Sequence, residues 1–213
     1  MEYPKIETLY ERDLATHKLK PELVLKNPVY GLLKSWQFTE KIDGTNIRCS
    51  WTPPSGEPGG EGGLTFGGRT DNAQIPGDLV NWLREHVTIE RLTEVFPDTS
   101  AIVYGEGYGA GIQKGGGDYS PTKQFIMFDV LVGGKWWLSD ENMRGVAAKL
   151  GLEAVPFVGE MPLEAATELV RKGFKSRLGG GVKAAEGLVG KPLEALFDKK
   201  GARLIVKLKT KDF

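Results

Sequence analysis

The sequence predicts an α+β fold, because strand-like segments outnumber helix-like segments and no internal repeat is present. Eight segments alternate apolar and polar residues with the period of a β-strand, and three have the apolar spacing of a helix. The chain of 213 residues is long enough to bury one sizeable core. We therefore expect a single domain that spans residues 1–213, without a separate C-terminal domain.

The strands are predicted where apolar alternation is bounded by glycine, proline or polar residues. They cover residues 36–42, 46–51, 64–67, 101–105, 124–132, 135–138, 186–191 and 203–209. In the last of these, Leu204, Val206 and Leu208 share one face of the strand. The opposite face then carries Ile205, Lys207 and Lys209, with the two lysines about 7 Å apart.

Three helices are predicted between these strands. Residues 78–96 form one candidate, capped by Asp78 and stopped by Pro97. Residues 140–150 form the second, capped by Ser139 and ended by Gly151, and residues 163–178 form the third. Three glycine-dense stretches, residues 53–63, 113–120 and 178–181, are predicted to be mobile connections and not element interiors.

Composition excludes several classes of protein. Lysine plus arginine and aspartate plus glutamate both number 28, so any basic surface must come from local segregation of charge. The single cysteine, Cys49, excludes an internal disulfide framework and a cysteine zinc site, and is expected in the core. No apolar run has the length of a membrane span, and the polar, acidic N-terminus differs from a signal peptide. We therefore expect a cytoplasmic protein.

The most informative stretch lies at the end of the first predicted strand, where KIDGTN begins at Lys41. Alternation places Phe38 and Ile42 on one face of this strand and Lys41 on the other. A lysine at a strand end is often only a solvated side chain. Further motifs along the chain decide between that reading and a functional one.

Six segments occur in the order KIDGTN (41–46), GRT (68–70), YGEG (104–107), FIMFDV (125–130), EGLV (186–189) and KLKTKDF (207–213). In this order and spacing they resemble the ATP-dependent RNA ligases of the covalent nucleotidyltransferase superfamily, of the phage and repair type. One KxDG motif alone is weak evidence, whereas six ordered segments are specific. The resemblance spans most of the chain.

The resemblance implies a nucleotidyltransferase (ATP-grasp-like) fold of antiparallel sheets flanked by helices, with the active site in the cleft between them. It also implies three chemical steps. A lysyl-AMP intermediate forms from ATP, the AMP passes to an RNA 5′-phosphate, and a 3′-OH then seals the strand and releases AMP. The cofactors implied are ATP and Mg²⁺, with Mn²⁺ as a possible substitute.

Carried over motif by motif, the resemblance assigns a role to each candidate residue. Lys41 is the nucleophile, Lys207 and Lys209 hold phosphates, Glu40 and Ile42 frame adenine, Asn46 and Arg69 bind ribose or phosphate, Glu106 accepts from ribose hydroxyls, Phe128 stacks on adenine with Phe125 as the alternative, and Glu186 binds the metal.

The chemistry explains why cations would accompany the nucleophile. An ordinary lysine has a pKa of about 10.4, so only a small fraction is neutral and nucleophilic near neutral pH. Nearby cations disfavour a further positive charge. Lys207, Lys209 and a bound metal would therefore activate Lys41 as well as hold phosphates.

Three other functions use related residues. DNA ligases share the mechanism, but Asn46 stands where their KxDGxR pattern has arginine. An mRNA-capping guanylyltransferase would use GTP and carries an extra domain. A non-catalytic RNA-end-binding module would lack the nucleophile or the metal ligand. We expect a monomer that acts on RNA with 5′-phosphate and 3′-OH ends, away from membranes.

Overall fold

The structure, a computed structural model, describes residues 1–55 and 62–213. Residues 56–61, within the predicted connection 53–63, lie outside the described residues. The chain divides into two compact units. The first unit contains residues 1–3 and 43–155, and the second unit contains residues 4–42 and 156–213. The single domain expected over residues 1–213 stays a prediction.

Strands dominate both units, which confirms the predicted α+β class. The described part of the chain forms β1 (Glu7–Thr8), β2 (Trp36–Glu40), β3 (Thr45–Thr52), β4 (Gly63–Gly67), β5 (Ala101–Tyr108), β6 (Gln124–Val132), β7 (Trp136–Trp137), β8 (Phe157–Met161), β9 (Gly187–Lys191) and β10 (Val206–Lys209). Sequence patterns did not predict β1 or β8. β1 has only two residues and pairs in parallel with β10, while β8 contains Gly159 and is flanked by prolines.

The second unit is built on a five-stranded sheet in the order β1-β10-β9-β2-β8. Every pairing except that of β1 with β10 is antiparallel. Trp36 and Phe38 of β2 pack in the core of this unit with Val206 and Leu208 of β10. Within β10 the predicted alternation is confirmed, since Val206 and Leu208 are buried whereas Lys207 and Lys209 are only partly buried. Ile205, expected on the lysine face, is buried, and the strand begins only at Val206 and not at residue 203.

The first unit is built on the sheet β4-β3-β5-β6-β7, whose pairings are all antiparallel. One face packs against helices around a core that includes Ile47, Val103 and Met127. Cys49 is fully buried in this core, as predicted. Burial raises the pKa of its thiol, so the reactive thiolate is disfavoured.

The helices are α1 (Gly77–His86), α2 (Ile89–Val95), α3 (Asp140–Leu150) and α4 (Leu163–Lys172). α3 has the predicted bounds, with Ser139 as N-cap and Gly151 in the left-handed conformation at its end. The single helix predicted over residues 78–96 is wrong. Thr88 adopts an extended conformation and its side chain caps α2, so the chain forms two helices instead of one.

Two further predictions need correction. The third helix ends at Lys172 and not at residue 178, because Gly173 has a φ of +71°. The glycine-dense stretch 113–120 is not purely irregular, since it contains the short 3₁₀ helix Gly116–Asp118. In the stretch 178–181, Gly179, Gly180 and Gly181 all have positive φ, so they form a glycine turn and not a regular helix. Across the described ranges, no helix combines the length and the apolar character that crossing a membrane requires.

Candidate active site

The second unit brings Lys41, Glu186 and Lys209 together as one charged cluster. Lys41 Nζ lies 2.6 Å from Glu186 Oε2, and Lys209 Nζ lies 2.9 Å from Glu186 Oε1. All three side chains are largely shielded, with 15–21% of each exposed. A single carboxylate therefore bridges two lysines that are distant in sequence.

Strand order explains this convergence. β9 lies between β2 and β10, so the residues that leave β2 and β10 at this end of the sheet flank the start of β9. The backbone N–H of Lys41 donates to Gly187 O at 2.9 Å, and Gly187 is the register partner of Lys209. Glu186 immediately precedes Gly187, which places its side chain between the two ammonium groups.

Gly187 is required at this crossing. Its φ is +151°, a backbone conformation that other residues rarely adopt. A Cβ there would lie 1.9 Å from Leu208 O and 2.8 Å from Lys209 Cα. The close approach of β9 and β10 therefore depends on the missing side chain.

Thr210, which sequence analysis did not single out, fastens the end of β10. Its backbone N–H donates to Glu186 O at 2.9 Å, and its hydroxyl donates to Ala185 O at 3.0 Å. These bonds join the residue after Lys209 to the residues at and before Glu186. The position of Thr210 within KLKTKDF was the only sequence signal for this role.

Glu40 and Ile42, on either side of Lys41, are both buried. Glu40 Oε2 accepts the backbone N–H of Arg177 at 2.9 Å. Glu40 Oε1 is buried and has no hydrogen-bond partner within the described residues. Buried carboxylate oxygens usually accept a hydrogen bond. Because Glu40 Oε1 accepts none from the described residues, it is available to a donor group of a ligand.

The first unit places Asn46 opposite Glu106, as register partners on β3 and β5. Asn46 Oδ1 is buried and finds no hydrogen-bond partner in the part of the chain that the structure describes. Gly44 makes this pairing possible, because a Cβ at Gly44 would lie 2.2 Å from Gly107 O. The end of the KIDG motif thus lies directly against the YGEG motif.

The glycine-rich segment 113–120 also contacts KIDG. Gln113 Nε2 donates to Gly44 O at 3.0 Å, and the backbone N–H of Asp43 donates to Tyr119 Oη at 3.4 Å. Tyr119 is buried. This segment therefore supports the motif and is more than a connection.

Arg69 and Arg48 occupy different environments. Arg69 is exposed in a bend that follows β4. Arg48, which sequence analysis did not consider, is buried on β3 and forms an ion pair with Asp71. Strand alternation places Arg48 on the same face as Asn46, and this was the signal that could have identified it.

Phe128 and Phe125, the two candidates for stacking on adenine, also differ. Phe125 is 1% exposed and belongs to the core of the first unit. Phe128 is partly buried, and its ring lies 5.0 Å from that of Tyr3 at 72°. The hydroxyl of Tyr3 donates to Asp129 Oδ2 at 2.7 Å, and burial raises the pKa of the neighbouring Tyr104 to about 12.

Comparison with known families and structures identifies similar proteins. The sequence model of the family described as RNA ligase matches residues 34–209. No curated protein matches the chain.

Solved structures of Naegleria gruberi RNA ligase are similar in fold. A mutant with ATP and Mn superposes with a TM-score of 0.67 at 18% identity, covering 97% of this chain and 59% of that chain. The complex with PPi gives a TM-score of 0.66 at 17% identity, covering 98% and 62%. A mutant with AMP and Mn gives a TM-score of 0.66 at 16% identity, covering 98% of this chain and 62% of that chain. The present chain thus spans about three fifths of the length of these relatives.

Proposed function

The chain belongs to the RNA ligase family, and we propose that it joins RNA ends with ATP as the AMP donor through a covalent intermediate on Lys41. The observation that supports this best is the cluster in which Glu186 contacts both Lys41 and Lys209. Three motifs that are separate in sequence supply these residues. The Naegleria relatives carry ATP, AMP or PPi in their structures, which are the substrate and products of such chemistry.

In the first step, the neutral amine of Lys41 attacks the α-phosphorus of ATP. A P–N bond forms, the bond from the α-phosphorus to the bridging oxygen breaks, and pyrophosphate leaves. The backbone hydrogen bond from Lys41 to Gly187 O fixes the strand end, and Glu186 orients the Nζ atom. Lys209 and Lys207 would hold the phosphates, first of the triphosphate and then of AMP.

Glu186 would bind a divalent cation as its one protein ligand. Mg²⁺ is commonly bound by one or two carboxylates together with water and substrate phosphates. No group of three or more histidine, cysteine, aspartate or glutamate side chains suited to a metal occurs among the described residues. A cation bound there would neutralise phosphate charge and repel the proton of Lys41. Mg²⁺ or Mn²⁺ would serve, and the relatives above contain Mn.

Nucleoside recognition would use the two residues on either side of Lys41 and residues of the motifs that follow. The buried, unpartnered Glu40 Oε1 could accept from the adenine amino group, beside Ile42. Glu106 would accept from ribose hydroxyls, and Asn46 and Arg69 would bind ribose or phosphate. Phe128 is the stronger candidate for stacking on adenine, because Phe125 is 1% exposed and packed in the core.

In the second and third steps, a 5′-phosphate oxygen of RNA attacks the phosphorus of lysyl-AMP and releases Lys41. A 3′-OH then attacks the activated 5′-phosphate, so that a phosphodiester forms and AMP leaves. We propose that the protein carries out these steps as a monomer in the cytoplasm. Its one cysteine, buried in the core, suits a reducing compartment.

The decisive experiment is incubation with radiolabelled ATP or GTP and Mg²⁺ or Mn²⁺, followed by a denaturing gel. We expect ATP to label the protein through an acid-labile, base-stable bond, and Lys41→Ala to abolish the label. Lys34→Ala is the matched control, because Lys34 is an exposed lysine in the segment that leads into β2. Label that persists in Lys41→Ala would refute the assignment, and labelling by GTP alone would favour a guanylyltransferase. An absence of label with both metals would favour an RNA-end-binding module.

A further inference from the structure

The neutral net charge of the chain conceals a strong division of charge between its two units. The segments of the second unit, residues 4–42 and 156–213, carry 19 lysines and arginines and 12 aspartates and glutamates, a formal charge of +7. The remaining residues carry 9 lysines and arginines and 16 aspartates and glutamates, a formal charge of −7. A polyanion would therefore be attracted to the second unit.

Within the second unit, cations concentrate between α4 and Glu186. Residues 169–185 contain five lysines and arginines and no acidic residue. Those that are exposed are Arg171, Lys172, Lys175 and Arg177. Arg171 is paired with Glu168 at the surface of α4, so the other exposed cations carry the uncompensated charge of this run.

Residues 173–185 form a hairpin, which we call the basic hairpin. Lys175 and Ala184 form an antiparallel bridge. Ser176 N donates to Lys183 O at 2.9 Å, and Ala185 N donates to Phe174 O at 2.9 Å. The cations are thus displayed on a hydrogen-bonded scaffold and not on an unstructured loop.

The basic hairpin is fastened at two points to residues that adjoin the charged cluster. The backbone N–H of Arg177 donates to the side chain of Glu40, the residue before Lys41. The second strand of the hairpin continues directly into Glu186, and Ala185 O accepts the hydroxyl of Thr210. These contacts hold the hairpin at a fixed position relative to Lys41 and Glu186.

We propose that the basic hairpin binds the phosphate backbone of the RNA next to the end that is joined, with Lys175 and Arg177 as its main contacts. This inference rests on the proposed function for the identity of the polyanion. Phosphate contacts from lysine and arginine set the register and position of a nucleic acid without reading its sequence. The arrangement would place RNA of any sequence beside the nucleophile.

The test compares two double variants that each lose two positive charges from the second unit. Lys175→Gln with Arg177→Gln removes the two exposed cations of the hairpin, leaves the partly buried Lys183, and keeps the backbone N–H that binds Glu40. Lys199→Gln with Lys200→Gln is the matched control, since both lysines are exposed in a turn outside the hairpin. Binding of a fluorescent, 5′-phosphorylated single-stranded RNA is measured by anisotropy over a series of salt concentrations, without ATP. Thermal unfolding verifies that each variant is folded.

We expect the hairpin variant to bind more weakly than the parent and to depend less on salt. Each phosphate contact on a single strand contributes a slope of about 0.7 in log K against log salt. Two lost contacts reduce the slope by about 1.4, so a tenfold rise in salt costs the variant about 25-fold less affinity than it costs the parent. The control variant should match the parent in both affinity and slope.

Separate outcomes distinguish this inference from the proposed function. If ATP labels the parent but the hairpin variant binds RNA with the parent's affinity and slope, the hairpin is not the RNA-binding surface and the ligase proposal stands. If the hairpin variant alone loses affinity but ATP does not label the parent, the surface stands and the ligase proposal fails. Equal losses in the hairpin and control variants would show that only overall charge matters, which would overturn the inference.

Discussion

Gly187→Ala tests whether the crossing of β9 and β10 positions the charged cluster. The new Cβ would lie 1.9 Å from Leu208 O, whereas ordinary contact begins at 3.4 Å. The two strands would therefore have to separate by about 1.5 Å at this point, and the atoms in collision belong to the backbone, so no side-chain rotation relieves the clash. The hydrogen bond from Lys41 N to Gly187 O lies at the same crossing.

The expected destabilisation combines two costs. Overpacking of a close contact costs about 1–3 kcal/mol, and a residue held at an unfavourable positive φ costs about 1–3 kcal/mol more. A combined loss of about 2–6 kcal/mol, with its middle at ~4 kcal/mol, would lower the melting temperature of a chain of this size by roughly 10 °C. ATP labelling of Lys41 should fall as well, because Lys209 moves away from Glu186.

Thermal unfolding and the rate of ATP labelling measure these effects together. The matched control is Gly145→Ala in the interior of α3, where an added Cβ meets nothing within 4 Å. That change should raise stability by about 0.5–1 kcal/mol, because alanine favours the helix. A Gly187→Ala protein that melts and is labelled like the parent would show that the crossing is not constrained as described.

Four further outcomes are expected. Thr210→Val should lower the free energy of unfolding by about 1 kcal/mol and slow ATP labelling, because it removes the hydroxyl that donates to Ala185 O. Thr210→Ser keeps that hydroxyl and should retain the parent's stability and labelling rate. Equal behaviour of the two variants in urea unfolding and labelling would count against this. Cys49 should react with an aqueous thiol reagent only after denaturation, because it is buried and burial raises its pKa; rapid reaction of the folded protein would contradict its place in the core. Burial raises the pKa of Tyr104 to about 12, so the stability that Tyr104 contributes is complete below the unfolded pKa of about 10 and is lost as the pH rises through about 12. In an ultraviolet titration, Tyr104→Phe should therefore lack one late-titrating tyrosine that the parent has. An unchanged titration curve would be contrary to this. A 3′-OH strand that ends in ribonucleotides should be sealed faster than an all-DNA strand, with equal adenylation; equal sealing rates at matched salt would favour a DNA ligase.

Elements with strong local signals were predicted accurately. α3 has the predicted bounds because Ser139 satisfies its first turn and Gly151 ends it. β6 also has the predicted bounds, residues 124–132. These segments carry their own start and stop signals, so tertiary contacts did not need to move them.

Elements that depend on distant partners were missed or displaced. β1 is defined by its pairing with β10, which follows it by most of the length of the chain. β8 is an edge strand with a break in register opposite Phe38 and Thr39, and Gly159 weakens its pattern. The predicted helix over residues 78–96 breaks where Thr88 caps α2, because a side-chain cap competes with continued helix at that point.

The sequence by itself determined the types of residue available for chemistry, their order in motifs and the RNA ligase family to which those motifs belong. Only the tertiary structure decided that Glu186 bridges Lys41 and Lys209, and that Thr210 and Arg177 bind residues next to this cluster. The division of charge into +7 and −7 likewise follows from how the chain forms its two units. The physical reason is that the second unit assembles from two segments, residues 4–42 and 156–213, which the first unit separates along the chain. Hydrogen bonding of β2 to β9 and of β9 to β10 joins those segments, and no pattern within either one specifies that pairing.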